Sequence, residues 1–290
     1  MPLEHVESDP RGHAGIDRVP AALEHPRAGL GREIVAGAHH PTLSEDRGPA
    51  LRHADRGSGV LDRDVRHRAN DTVSRVVRII AWRVPPYDNG CYLIVDARNE
   101  AIVIDPSMGD RQVIDAVREQ GLRLVEILNT HGHPDHIFGN AAVKEATQAR
   151  LAIHRLDEYR LGPKRPPTQL AVPPCSADDL FDDGQLSFLD DVELSALHTP
   201  GHTEGSTCFY LRREGALFSG DLLFKGNIGR SDLPGSDPDA MGESLSRIAS
   251  SLPPNTRVYP GHGAETTLGA EIETLRGLRD AGMLPGLRLG

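Results

Sequence analysis

The chain has 290 residues, a formal net charge of −10 and an isoelectric point near 5.8. That length suffices for one large domain or two small ones, and the acidic balance argues against a nucleic-acid-binding surface. No apolar run approaches the ~20 residues that span a bilayer, and the N-terminus lacks the apolar core of a signal peptide. Three cysteines without framework spacing indicate a reducing compartment, so we expect a cytoplasmic protein.

Residues 1–73 differ in composition from the rest of the chain. They contain no aromatic residue, lysine or cysteine, but ten arginines and seven histidines among scattered glycines and prolines. Such a segment buries too little apolar surface to offset the entropy lost on ordering it. We therefore expect a disordered extension, or translated sequence upstream of a true start near residues 70–75. A histidine-rich metal-delivery tail is the alternative. Residues 74–290 form the predicted folded domain.

Short apolar segments in the first half of this domain predict strands that alternate with helices. Strands are expected at 76–82, 91–96, 101–105, 124–128 and 151–153. Ser107 is placed to cap a helix over residues 109–120, whose apolar residues repeat at helical spacing. A second helix is expected to follow the strand at 124–128 and to reach about Thr147.

The second half repeats this pattern and completes the predicted fold. Strands are expected at 186–189, 192–198, 206–212, 216–219 and 257–259, and helices at 239–251 and 268–280. Two strand-rich halves, each covered by helices, predict an α+β fold built as a four-layer αββα sandwich. The loops after several of these strands would then converge at one edge between the two sheets.

Those loops carry seven potential metal ligands, each beside residues that form turns. They are His131, His133, Asp135, His136, His202, Asp221 and His262. A single histidine is more often a surface or core residue, and the chain has 14. The run Thr-His-Gly-His-Pro-Asp-His, however, groups four ligands in one short segment, which a solvated loop does not require. Imidazole and carboxylate suit borderline-soft divalent ions, so the pattern predicts a site for two transition-metal ions with room for water.

The complete His-x-His-x-Asp-His motif and the three later ligands resemble the metallo-β-lactamase superfamily over about residues 74–290. The ligand sets that the resemblance implies are His131, His133 and His202 for one ion, and Asp135, His136 and His262 for the other. The resemblance also implies that the Asp221 carboxylate bridges the two ions. No ligand is missing, which argues against a non-catalytic relative.

Residues 222–237 resemble the short glyoxalase II type within this superfamily, thioester hydrolases that cleave hydroxyacylglutathione. They are less similar to class B β-lactamases, which replace some of the ligands. In glyoxalase II a basic residue near the position of Arg230 helps to hold glutathione, so Arg230 and Lys225 are the candidate substrate-binding residues. An arginine suits a carboxylate because its planar fork binds bidentately. The alternative for Arg230 is a salt bridge with Asp232 or Asp237.

The predicted chemistry follows from the weakness of neutral water as a nucleophile. A bound metal lowers the pKa of water to about 7, and two ions about 3.5–4 Å apart can hold a bridging hydroxide and polarise a carbonyl. We predict hydroxide attack on a small-molecule thioester, with Asp135 and Asp221 as the catalytic carboxylates and a thiolate leaving. Zinc is the expected metal, with iron or manganese as alternatives. Ile228 and the loop 162–174 are candidates to line the site, and His154 is expected to be structural.

Three other functions remain open at this level. Persulfide dioxygenases share this fold and most of these motifs, but use one iron at positions matching His131, His202 and Asp221. Another ester or lactone hydrolase, or a metal-binding module without catalysis, would also carry the ligands. Full-length glyoxalase II has a C-terminal helical domain, whereas about 28 residues follow His262 here. The thiol carrier is therefore open, and the sequence carries no signal for the oligomeric state.

Overall fold

Two β-sheets pack face to face at the centre of the molecule. The computed structural model describes residues 32–35, 77–167, 170–190 and 192–289. The seven strands of the first sheet lie in sequence order: β1 (Arg32–Val35), β2 (Arg78–Val84), β3 (Asn89–Val95), β4 (Glu100–Ile104), β5 (Arg123–Leu128), β6 (Arg150–His154) and β7 (Asp179–Phe181). Neighbours from β1 to β4 are antiparallel, and those from β4 to β7 are parallel.

The second half of the chain supplies a six-stranded sheet and a short hairpin. Its strands are β8 (Gly184–Leu186), β9 (Leu194–His198), β10 (Thr207–Leu211), β11 (Ala216–Gly220), β12 (Leu223–Phe224), β13 (Asn227–Ile228), β14 (Arg257–Pro260) and β15 (Thr266–Thr267). The sheet order is β15-β14-β11-β10-β9-β8, and β12 with β13 forms the hairpin. Only β11 and β14 are parallel among the pairs described for this sheet, so their carboxyl ends meet at one edge.

Helices cover the outer face of each sheet. They are α1 (Asp110–Glu119), α2 (Pro134–Ile137), α3 (Asn140–Thr147), α4 (Pro238–Ser251) and α5 (Leu268–Asp280), with a 3₁₀ segment at Arg155–Leu161. Neighbouring residues of β3 face opposite sides: Leu93 packs with Val113 of α1, whereas Ile94 packs with Phe218 of β11. A third apolar cluster lies between the second sheet and α4, around Leu245. Three clusters between four layers confirm the predicted αββα sandwich.

The predicted helix 109–120 agrees with α1 to within one residue at each end, but its predicted cap and the continuity of the next helix are wrong. α1 begins after Gly109, and Ser107 does not cap it. Its φ is +55° and its hydroxyl donates to the carbonyl of Asp105 at 3.2 Å, so its oxygen is directed away from the helix. The helix predicted to reach Thr147 is divided into α2 and α3 around Gly139. A side chain at Gly139 would contact the Ser107 carbonyl at 2.6 Å, so glycine permits this close approach.

Several short elements were not predicted. They are β7, β12, β13, β15 and the 3₁₀ segment Arg155–Leu161. The strand predicted at 186–189 is β8, which lies earlier, at Gly184–Leu186. β1 falls within residues 1–73, where no element was expected, and all four of its residues pair with β2. The remaining predictions for that segment lie outside the described residues.

Two of the three cysteines lie in the apolar interior of the fold. Cys91 and Cys208 are completely buried, as expected for small apolar residues. Among the residues that the structure describes, no helix is both long and apolar enough to cross a bilayer.

Candidate metal centre

All seven predicted ligands lie at the ends of strands on one edge of the sandwich. His131 and His133 follow β5, and α2 begins beside them and carries Asp135 and His136. His202, Asp221 and His262 follow β9, β11 and β14 in turn. Parallel strands end at the same edge of a sheet. The topology therefore converts seven scattered positions into one cluster, as the sequence predicted.

The donor atoms form three overlapping groups, in each of which they lie within 4.8 Å of one another. The groups are His131, His133 and His202; His131, His136 and Asp221; and Asp135, His136 and His262. Asp221 lies between the first and the third group, because its Oδ2 is 3.3 Å from His202 Nε2 and 3.5 Å from His262 Nε2. Each group could hold one divalent ion, and a carboxylate between two groups could bind both ions.

The inward nitrogens of the histidines lie within hydrogen-bonding distance of one another. His133 Nδ1 lies 2.8 Å from His202 Nε2 and 3.1 Å from His131 Nε2, and His136 Nε2 lies 3.3 Å from His262 Nε2. One oxygen of Asp221, Oδ1, is buried without a hydrogen-bond partner. Nitrogens and a carboxylate oxygen that converge in this way can share protons or, once the rings are deprotonated, bind a divalent cation. The donor set therefore fits metal ions.

Hydrogen bonds on the outer side of the rings determine which nitrogen faces inward. Nδ1 of His202 donates to the carbonyl of Arg230 at 2.7 Å, and Nδ1 of His262 donates to the carbonyl of Tyr87 at 2.8 Å. His136 Nδ1 lies 2.8 Å from the buried carboxylate of Asp105. Outer partners of this type set the tautomer and the orientation of metal-binding histidines. In their neutral form these rings would therefore present Nε2 lone pairs to the interior of the cluster.

The protonation preferences differ across the cluster. Burial lowers the pKa of His133 to about 3 and that of His131 well below its usual value, which keeps both rings in the neutral, metal-binding form. Burial also opposes the charge on His262, but the hydrogen bonds that its ring donates to Asp135 and Asp221 outweigh burial and raise the pKa to about 10. Carboxylates that attract a proton also attract a divalent cation, and binding of the cation would release that proton.

A buried carboxylate that was not predicted ties two of the metal loops together. Asp157, which is fully buried, accepts hydrogen bonds from Gly132 N at 2.7 Å, Thr203 Oγ1 at 2.8 Å and Gly205 N at 2.9 Å. Gly132 separates His131 from His133, and Thr203 follows His202. Asp157 therefore connects the loops that carry the three histidines of the first group.

Asp105 and Asn89 are the other positioning residues that the motif did not reveal. Asn89 Nδ2 donates to Asp135 Oδ2 at 3.0 Å. Asp105 also accepts from Thr130 Oγ1 at 2.6 Å. One signal could have found Asp105, because it ends a strand of otherwise apolar residues and a buried carboxylate needs partners.

A cavity of about 840 Å³ opens over the cluster. Its apolar wall includes Phe224, Ile228 and Leu233, and the loop 162–174 contributes Pro166 and Pro167. These observations agree with the expectation that Ile228 and this loop line the site.

The two candidate substrate-binding residues occupy different positions. Arg230 lines the cavity, but its guanidinium pairs with Asp232 through contacts of 2.8 and 3.0 Å. Asp237, the other proposed partner, instead caps α4. Lys225 is absent from the described lining of the cavity. His154 is buried, stacks on His198 with ring centroids 4.1 Å apart, and belongs to none of the ligand groups.

Comparison with known proteins places the cluster in context. The family model of the metallo-beta-lactamase superfamily matches residues 85–262. A probable metallo-hydrolase of Bacillus subtilis, YqgX, is 32% identical over 66% of this chain and 93% of its own length. The hydroxyacylglutathione hydrolase GloC of Haemophilus influenzae is 30% identical over 65% of this chain and 92% of its own length. The crystal structure of TTHA1623 in a di-iron-bound form has a TM-score of 0.61 and 36% identity, and covers 67% of this chain and 98% of that one.

Proposed function

Because the chain belongs to the metallo-β-lactamase superfamily, we propose that it is a metal-dependent hydrolase that cleaves a thioester of the hydroxyacylglutathione class. The observation that carries the proposal is the convergence of seven donor residues beneath a cavity of about 840 Å³. The name of the Haemophilus influenzae relative supports the substrate class. The matched region covers 92% of that relative. The name hydroxyacylglutathione hydrolase is therefore also given to a protein with little sequence beyond the part that it shares with this chain.

The ligand groups suggest how two ions would be held. His131, His133 and His202 would bind one ion, and Asp135, His136 and His262 the other. Asp221 would contact both. Bound divalent ions would lower the pKa of a water molecule and would act as Lewis acids towards the carbonyl oxygen of the thioester. Zinc is the proposed metal, and the di-iron form of TTHA1623 supports iron as the alternative.

In this scheme the carboxylate of Asp135 stays negatively charged and orients the attacking water. Burial tends to raise the pKa of Asp135, but the charge of His136 and hydrogen bonds from His262 and Asn89 together outweigh it and hold the pKa below its usual range, so Asp135 stays ionised. Asn89 holds one oxygen of Asp135, and an ionised carboxylate can accept a hydrogen bond from the attacking water. The leaving thiolate is stable near neutral pH and needs little protonation.

The apolar wall restricts the access of water to the reacting centre. Phe224, Ile228 and Leu233 border the cluster on one side, and lower local polarity strengthens electrostatic interactions there. Arg230 remains a proposed contact for the thiol carrier. To bind a carboxylate, its guanidinium must exchange Asp232 for the substrate.

The test is turnover of S-lactoylglutathione by zinc-loaded protein, followed as the loss of thioester absorbance. We expect rapid hydrolysis that Asp135→Ala abolishes, because this substitution removes one ligand of the second group. Unchanged turnover by Asp135→Ala would refute the use of two metals. If the metal-loaded protein leaves the thioester intact, but iron-loaded protein consumes oxygen with glutathione persulfide, the chain is a dioxygenase instead.

A further inference from the structure

The charged residues that line the cavity are of two kinds. Asp135 and Asp221 belong to the metal-ligand cluster. The other charged lining residues are all arginines: Arg160, Arg165 and Arg230. A cavity wall with this composition favours an anionic ligand, and the three arginines differ in how far protein groups already satisfy them.

Two of these arginines are neutralised by carboxylates. Arg160 is only 2% exposed and pairs with Asp157 at 3.3 Å and with Glu204 at 2.6 Å. The guanidinium of Arg230 forms a two-point pair with Asp232. Both arginines would have to give up a carboxylate in order to bind another anion.

Arg165 lacks such a partner. Its Nη2 donates to the carbonyl of Val172 at 2.8 Å, which holds the guanidinium against the wall of the cavity. Its Nη1 is buried and has no hydrogen-bond partner among the residues that the structure describes. Among the described residues, no carboxylate lies within 4 Å of this side chain. A buried N–H group without an acceptor is unfavourable, so an acceptor supplied by a ligand in the cavity would remove this cost.

The surroundings of Arg165 would strengthen binding of an anion. Pro166, Pro167 and Leu170 line the same side of the cavity, and an apolar neighbourhood increases the strength of a charge-assisted hydrogen bond. One guanidinium nitrogen donates to Val172, and the buried Nη1 could gain a carboxylate oxygen as its acceptor if a ligand displaced the groups that cover it.

We propose that Arg165 binds a carboxylate of the thiol carrier and so selects thioesters whose carrier is anionic. The inference rests on the proposed hydrolase function and narrows its substrates. It assigns carrier recognition to the loop after the 3₁₀ segment, and predicts a smaller contribution from the Arg230 guanidinium that Asp232 already neutralises.

The test compares Arg165→Met with Lys164→Met on two substrates. Lys164 is the adjacent residue, carries the same charge, and is exposed outside the main cavity, so it provides a matched control. S-Lactoylglutathione has an anionic carrier, and the lactoyl thioester of N-acetylcysteamine has a neutral one. kcat and KM are measured for both substrates with zinc-loaded protein.

Arg165→Met should raise KM for S-lactoylglutathione about 10-fold or more, the loss expected for one charge-assisted hydrogen bond. The ratio of kcat/KM for the anionic over the neutral substrate should fall by a similar factor. Arg165→Lys should restore part of the ratio, and Lys164→Met should leave it as in the wild type. Equal losses on both substrates would show that Arg165 only supports the loop, and an unchanged ratio would also overturn the proposal.

Calorimetric titration with glutathione separates this inference from the proposed function. If the wild type binds glutathione and Arg165→Met weakens the Kd about 10-fold, anion recognition stands even where neither thioester is hydrolysed. If both thioesters are hydrolysed but glutathione binds equally to the wild type and Arg165→Met, the hydrolase function stands and the role of Arg165 is wrong.

Discussion

The connection between the two histidine loops gives the sharpest prediction about stability and metal binding. Asp157→Asn keeps the size of the side chain but removes its charge and replaces one oxygen with an amide NH₂. In the wild type, Oδ2 accepts from Gly132 N and Thr203 Oγ1, and Oδ1 accepts from Gly205 N. Either orientation of the new amide therefore places a donor against a backbone N–H. Arg160 also loses one of its two carboxylates.

The cost follows from burial. Asp157 and Arg160 are 0% and 2% exposed, and removing one partner of a buried ion pair costs about 3–5 kcal/mol. With urea m-values of about 2–3 kcal/mol/M, the midpoint of unfolding should fall by about 1–2.5 M. Loss of the outer support of His133 and His202 should weaken metal binding about 10–100-fold.

The assay pairs urea unfolding of the metal-free protein with zinc titration against a competing chelator. Asp182→Asn is the matched control, since Asp182 forms a two-point pair with Arg155 at the surface, where exposed pairs contribute little. If Asp157→Asn shifts neither the midpoint nor the zinc affinity more than Asp182→Asn does, Asp157 does not hold the loops.

Three further predictions address other parts of the molecule. Burial, assisted by Asp179, raises the pKa of Glu126 to about 8, so the folded state binds more protons than the unfolded state between pH 4.5 and 8, and stability falls as pH rises. Glu126→Gln should abolish this slope in urea unfolding and stabilise the protein at pH 9 by about 2–4 kcal/mol; a retained slope would contradict this assignment. Gly261→Ala would place a methyl group against Asp221 Oδ1 and 2.9 Å from His136, so metal content by elemental analysis should fall sharply. Gly277→Ala, with open space around it, is the control and should retain the wild-type content. Removal of metal with a chelator should lower the Tm, and zinc should restore it; a Tm that does not respond would contradict metal binding by the folded protein.

The layers of the fold were predictable where apolar periodicity is strong. The strand at 124–128 and the helix at 239–251 correspond to β5 and α4, because each buries a regular apolar set. β7 contains only three residues, and its pairing with β6 depends on a partner about 27 positions away. Serine is a residue type that often caps helices. The positive φ of Ser107 and the hydrogen bond that it donates to the Asp105 carbonyl, however, come from the tertiary structure.

In the candidate site, too, some residues could be predicted from the sequence and others could not. The seven candidate ligands could be picked out of the sequence because their spacing and residue types are unusual in themselves. Asp157 could not be found in this way, since it meets Thr203 and Gly205 only after the chain has folded across 46 and 48 positions. The sequence offered Asp232 and Asp237 as alternative salt-bridge partners of Arg230. The folded structure distinguishes them, because Arg230 pairs with Asp232 and Asp237 caps α4.

The most direct test of the central claim combines metal content with product analysis in one sample. Zinc-loaded protein is freed of loosely bound metal, analysed for ions per chain, and given S-lactoylglutathione under oxygen-free conditions. The account predicts about two divalent ions per chain and one thiol released for each thioester consumed. A single ion per chain, or the absence of thiol release by a protein that retains its metals, would contradict it.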